Sequence, residues 1–97
     1  MIPSHRTATH PGAILLEEYI APMGLTQRAV AAHLGVPVQR INEIVAGKRG
    51  ISPETAWLLS EAFQTSPEFW LNLQNAYELS SRRPSGHVTP IAPAGTG

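Results

Sequence analysis

The tripeptide Ser-Pro-Glu occurs twice, at Ser52-Pro53-Glu54 and again at Ser66-Pro67-Glu68. Each copy supplies what a helix start requires. The serine hydroxyl can accept from the free N–H groups of the first turn. The proline sits where no hydrogen bond is lost, and the glutamate meets the positive end of the helix dipole. Two such signals this close together divide the second half of the chain into short helices. The first runs to about Phe63, with Ala56, Leu59 and Phe63 on one face. The second carries Phe69, Trp70, Leu71, Leu73, Ala76, Tyr77 and Leu79, a wide apolar surface for one terminal helix.

The first half is punctuated in the same way. A helix is expected after His10-Pro11-Gly12, with His10 helping to start it. It bears Ile14, Leu15, Leu16, Tyr19 and Ile20 and is ended by Pro22 and Gly24. Thr26 should cap a second helix with Val30, Ala31 and Leu34 inward, and Gly35 stands where a left-handed turn residue is needed. Pro37 is expected to open a third, with Ile41, Ile44 and Val45 on its buried side and Gly47 at its end. No stretch alternates as a strand does. The expected fold is an all-α five-helix bundle.

The ends are different. Residues 1–9, MIPSHRTAT, are polar without a period and read as a mobile arm. Residues 81–97 hold three prolines and three glycines and cannot bury enough apolar surface to offset their ordering entropy. That stretch is expected to be a disordered tail, which leaves residues 10–80 as the folded unit. A unit this short buries only about 60–65% of its unfolded surface, an incentive to share core with a partner.

Several chemistries are excluded. With no cysteine there is no disulfide framework and no thiolate site. No apolar run approaches the roughly 18–20 residues of a membrane span. MIPSHRTATHPG lacks the apolar stretch of a secretory signal, so a cytoplasmic protein is expected. His5, His10, His33 and His87 are scattered, none paired at helical spacing, and no aspartate is present. No metal and no cofactor is expected, and His33 reads as a half-exposed helix residue. Glu17 and Glu18 are adjacent and so diverge on a helix, no nucleophile motif appears, and Gly47-Lys48-Arg49-Gly50 lacks phosphate-loop spacing. The chain does not read as an enzyme.

Thr26 to Gly50 is the informative segment. Two short helices joined at Gly35, with Val30, Ala31, Leu34, Val36, Ile41 and Ile44 at apolar positions, make a helix-turn-helix. Ala31 is small where the helices must cross, and Val36 fills the gap between them. Val38, Gln39, Arg40, Asn42 and Glu43 are left on the outward face of the third helix. Gln and Asn can pair with adenine, and Arg with guanine. Gln39 and Arg40 are therefore the expected base readers, with Asn42 beside them. Thr26, Gln27 and Arg28 at the preceding helix start, and Lys48 and Arg49 after the third helix, suit backbone phosphates. The competing reading is a small helical bundle with ordinary polar surface, serving only protein contacts. The formal net charge of zero, from 7 basic and 7 acidic residues, taken alone favours it. The distribution reverses that: residues 26–50 hold Arg28, Arg40, Lys48 and Arg49 against Glu43, a net +3. The remainder holds Arg6, Arg82 and Arg83 against six glutamates, a net −3. A basic footprint is thus confined to one segment.

TQRAVAAHLGVPVQRINEIVAGKRG resembles the Xre/Cro-type helix-turn-helix. With ISPETAWLLSEAFQTSPEFWLNLQNAYEL it resembles the HigA-type antitoxins of bacterial toxin–antitoxin modules, over about His10 to Leu79. The resemblance implies a Cro/C1-repressor-like fold and a bacterial, homodimeric autorepressor on a palindromic promoter site. It also implies a protein partner, a HigB-type toxin that is a small RelE-like mRNA interferase. The close alternative is an Xre-type repressor with no toxin. Two positions depart from the family pattern: Ala46 stands where Asn is common, and Gln64 where a helix-ending Gly is common. A left-handed Gln64 would cost about 1 kcal/mol.

The terminal helix bears on assembly. Trp70, Leu71 and Tyr77 cannot all share one buried stripe with Phe69 and Leu73, and the expected dimer contact is built from Trp70, Leu71, Leu73 and Tyr77. Phe69 and Leu73 are the expected core cover. Two-fold symmetry would set two reading helices about 34 Å apart, one turn of DNA.

Overall fold

The computed structural model describes residues 8–92. Five helical segments follow one another. The first is α1, Pro11–Ile14, continuing as a π-helix over Leu15–Ile20. Then come α2 (Gln27–Leu34), α3 (Val38–Val45), α4 (Pro53–Phe63) and α5 (Pro67–Ser81). No strand occurs among the described residues, so the all-α expectation holds.

The starts are where local chemistry places them. His10 Nδ1 accepts from the Gly12 N–H at 2.9 Å. Thr26 Oγ1 accepts from Ala29 at 3.0 Å, Ser52 Oγ from Thr55 at 3.2 Å and Ser66 Oγ from Phe69 at 3.0 Å. Pro37 differs slightly from expectation: it is the residue before the first turn of α3, with extended backbone. Gly35 (φ 75°) and Gly47 (φ 76°) take left-handed turns, and Gln64 does so with a side chain (φ 54°).

The first helix is not a plain α-helix. Regular structure ends at Ile20, two residues before Pro22, and its last six residues carry a π pitch. The wider turn matters for packing, because Leu15 and Ile20 lie five apart and both are buried. An α pitch would point them to different faces.

Leu15, Ile20, Val30, Ala31, Ile41, Ile44, Ile51, Ala56, Leu59 and Trp70 form one core. Gly12 lets α1 touch α3, since a Cβ there would overlap the Ile44 carbonyl oxygen. Trp70 corrects the expectation that it forms part of an exposed dimer contact. Its side chain is fully buried, its Nε1–H donates to Thr65 Oγ1 at 2.8 Å, and Tyr19 tilts against it at 5.4 Å. Phe69, expected to cover the core, is instead 36% exposed and meets Trp70 edge-on. A buried indole needs a partner for its N–H; Thr65 supplies one, and phenylalanine would waste it.

Residues 1–7 and 93–97 lie outside the described residues, so most of the expected arm and the last five residues of the expected tail carry no structural account. At the edge of the arm, the Ala8 N–H donates to Ser80 Oγ at 2.8 Å, fastening the chain to α5. Residues 82–92 are exposed and form neither helix nor strand.

Candidate nucleic-acid interface

α2, the turn at Gly35 and α3 form the helix-turn-helix. The Val36 N–H reaches the Ala31 carbonyl at 3.0 Å and the Gly35 N–H that of Ala32 at 3.2 Å, which closes α2 and sets the angle to α3. Ala31 is buried at the crossing. Ile41 and Ile44 anchor α3 in the core, and this fixes which residues point away.

Those residues are Gln39, Asn42 and Ala46, all exposed, with Glu43 half-buried between them. Gln39 and Asn42 therefore stand where the sequence places base readers. Val38 does not: it is half-buried and packs on the core, so it is not on the outward face. A β-branched apolar residue one turn before Ile41 falls on its side of the helix. Arg40 occupies the flank. Its side chain is 31% exposed and leans toward the start of α4, where Nη1 lies 3.5 Å from Glu54 Oε1, a loose ion pair.

Two basic groups follow α3. The Gly47 N–H donates to the Ile44 carbonyl at 3.0 Å and the Lys48 N–H to the Glu43 carbonyl at 2.8 Å. This left-handed closure aims Lys48 and Arg49 outward from the end of α3. Lys48 is exposed. Arg49 Nε and Nη2 both lie 2.8 Å from Glu43 Oε1. Gln39 Nε2 donates to the other oxygen, Oε2, at 3.2 Å. Arg49 beside it holds the Glu43 carboxyl below the usual carboxylate range, with Gln39 and Lys48 adding to the effect. At the start of α2, Arg28 and Thr26 are exposed and Gln27 is half-buried. The Thr26 oxygen is already used in the cap, leaving its O–H free to donate.

A shallow concavity of about 350 Å³ lies between Arg40, Arg49 and the first turn of α4, Ser52 to Thr55. Sequence reading placed Glu54 only on the helix dipole and did not find it beside Arg40. It also missed Gln74 of α5, whose Oε1 accepts from the Ile51 N–H at 2.8 Å. No group of three or more His, Asp or Glu side chains that could hold a metal occurs among the described residues. Nor is any helix among them long and apolar enough to cross a membrane.

On α5, Leu71, Leu73 and Tyr77 are half-buried rather than open. Leu71 and Leu73 pack on the core, and Tyr77 meets the His10 ring edge-on at 4.7 Å. The outward stripe of α5 is Phe69, Asn72, Ala76 and Leu79, the last 78% exposed. Trp57 on α4 is a second open aromatic, at 59%.

A short helix crossing a capped helix at a left-handed glycine, with polar side chains outward and basic groups at both ends, defines a helix-turn-helix protein. Residues 16–70 match the family described as Helix-turn-helix. Virulence-associated protein I of Dichelobacter nodosus is 51% identical over 72 residues, 74% of this chain and 67% of that protein. Among solved structures, antitoxin GraA in complex with its operator superposes with a TM-score of 0.84 at 34% identity, covering 96% of this chain and all of that one. The Pseudomonas aeruginosa antitoxin HigA with the higBA promoter gives 0.75 at 39% identity, covering 76% and 80%. The chain belongs to the Xre-type helix-turn-helix family, in the branch of the HigA-type antitoxins. That is a family of antitoxins and transcription regulators, not of enzymes.

Proposed function

We propose that this protein is an antitoxin of the bacterial cytoplasm that binds its own promoter as a homodimer. The observation that carries the reading is the outward edge of α3, where Gln39 and Asn42 stand between basic groups. Gln39, Asn42 and Arg40 read base edges in the major groove. Thr26, Gln27, Arg28, Lys48 and Arg49 hold the phosphates on either side. Two relatives solved with a promoter or an operator support this. Dimerisation uses the open stripe of α5, Phe69, Asn72, Ala76 and Leu79, with Leu71 and Leu73 behind it. The protein partner is a HigB-type, RelE-like mRNA interferase, which the antitoxin neutralises.

Two measurements test this. A gel-shift titration compares the duplex immediately upstream of the reading frame with a scrambled duplex of equal composition. Preference for the upstream duplex is expected, and equal affinity for both counts against the reading. Co-expression with the adjacent reading frame should yield a complex. If its product neither co-purifies nor is toxic alone, the chain is an Xre-type repressor without a toxin.

A further inference from the structure

Glu43 is the sole acid in residues 26–50, and it lies on the reading helix itself. A carboxylate on a surface that meets phosphates repels them. Neither of its oxygens is idle. Oε1 takes both Nε and Nη2 of Arg49 at 2.8 Å, and Oε2 takes the Gln39 amide at 3.2 Å.

The two bonds have different consequences. With Nε2 tied to Glu43, the orientation of the Gln39 amide is set. Its carbonyl oxygen and second N–H are the groups left to face a base, and that pair matches adenine N6 and N7. Arg49 has five N–H donors. Glu43 engages two and leaves the others for a phosphate, but its charge cancels that of the guanidinium at a distance. Binding to arbitrary DNA is the sum of phosphate neutralisations, so a cancelled arginine weakens it. Binding to the right sequence depends on the presented edge, which Glu43 fixes.

We infer that Glu43 is a positioning residue that sets sequence discrimination, holding Gln39 in one orientation while withholding the charge of Arg49 from non-cognate DNA. The inference rests on the DNA-binding reading above. Replacing the carboxylate by an amide removes the charge that cancels Arg49 and leaves one acceptor oxygen where there were two, so Gln39 and Arg49 no longer each have their own. The net effect is tighter binding to the wrong DNA, with less preference for the right one.

The test titrates the full-length wild type, Glu43→Gln, Glu43→Asp and the double variant Glu43→Gln/Arg49→Gln against the upstream and scrambled duplexes across a salt series. For Glu43→Gln, the salt slope on scrambled DNA should steepen by about 1 per protomer. The upstream-to-scrambled affinity ratio should fall about tenfold. The double variant should lose the added slope. Glu43→Asp keeps the charge but not the reach, so its slope should stay at the wild-type value while its ratio falls. Thermal melts of each variant separate these changes from loss of fold, which would not steepen a slope. A discriminating wild type with an unchanged Glu43→Gln ratio and slope overturns this inference alone. A wild type that shifts neither duplex overturns the DNA-binding reading and this one with it.

Discussion

Gln74 Oε1 accepts from the Ile51 N–H at 2.8 Å, and so joins the exit of the basic loop to the middle of α5. The contact is close: a Cβ on Gly50 would lie 2.7 Å from the Gln74 amide nitrogen. Lys48 and Arg49 therefore take their position from both α3 and α5. A glutamine on α5 thus helps to place the loop that follows α3.

Gln74→Leu should leave the Ile51 N–H without its partner and cost about 1–3 kcal/mol, the penalty for stranding a partly buried donor. Urea unfolding measures the cost. Affinity for the upstream duplex should fall as well, because the loop loses its second anchor. A variant as stable as wild type would mean that water replaces the amide.

Trp70→Ala should cost about 3–5 kcal/mol, as for a fully buried aromatic, and the cost should not depend on protein concentration. Leu79→Glu, on the open stripe, should behave in the opposite way. It should shift the monomer–dimer balance in sedimentation and leave the unfolding of the dilute protein nearly unchanged. If Leu79→Glu does not alter assembly, α5 is not the dimer face.

Gln64 holds φ 54° at the end of α4. Gln64→Gly should relieve strain of about 1 kcal/mol, less the extra freedom that glycine gives the unfolded chain. The expected gain is a few tenths of a kcal/mol up to about 1, read as a higher melting temperature. No change in DNA affinity should accompany it.

His10 lies between α1 and Tyr77, and burial lowers its pKa below the ordinary histidine value. Its Nδ1 must be unprotonated to accept from Gly12. In the window between the two pKa values the unfolded chain holds a proton that the folded one lacks. Stability therefore rises with pH. The contribution is fully present above about pH 6.5 and is lost as pH falls through the folded value. Unfolding measured from pH 7.5 downward should show this loss. His10→Asn, which can still cap the helix, should remove that part of the pH dependence.

Two substitutions separate reading from holding. Arg40→Ala should cost about 1–3 kcal/mol on the upstream duplex and relax base preference. Lys48→Ala should weaken all sequences alike and lower the salt slope by about 1 per protomer. If base preference survives the loss of Arg40, its place on the flank beside Glu54 marks it as a phosphate ligand.

The legible parts of this fold are those that chemistry decides within four residues. The caps at Thr26, Ser52 and Ser66 and the glycine turns at Gly35 and Gly47 are of that kind. So is the outward pair Gln39 and Asn42, because Ile41 and Ile44 dictate the opposite face. The choice between Phe69 and Trp70 is not. Adjacent residues on a helix point about 100° apart, and either could face in. Tyr19 and Thr65, from outside α5, decide it. Glu43 lies between the two cases. Its pairing with Gln39 follows from a four-residue spacing, but its hold on Arg49 needs the left-handed closure at Gly47.

The π turn of Leu15–Ile20 is a helix with one residue too many for its length. Deleting Glu17 or Glu18 would restore an ordinary pitch and leave the turns on either side in register, because a π turn closes from i to i+5 where an α turn closes from i to i+4. Leu15 and Ile20 would then lie four apart and still share a face. His10 would keep Tyr77, Gly12 would keep Ile44, and Ala8 would keep Ser80. The spare residue is thus slack stored in one turn: losing it should be tolerated, whereas adding another at α pitch should swing the start of the chain by about 100° and break those contacts.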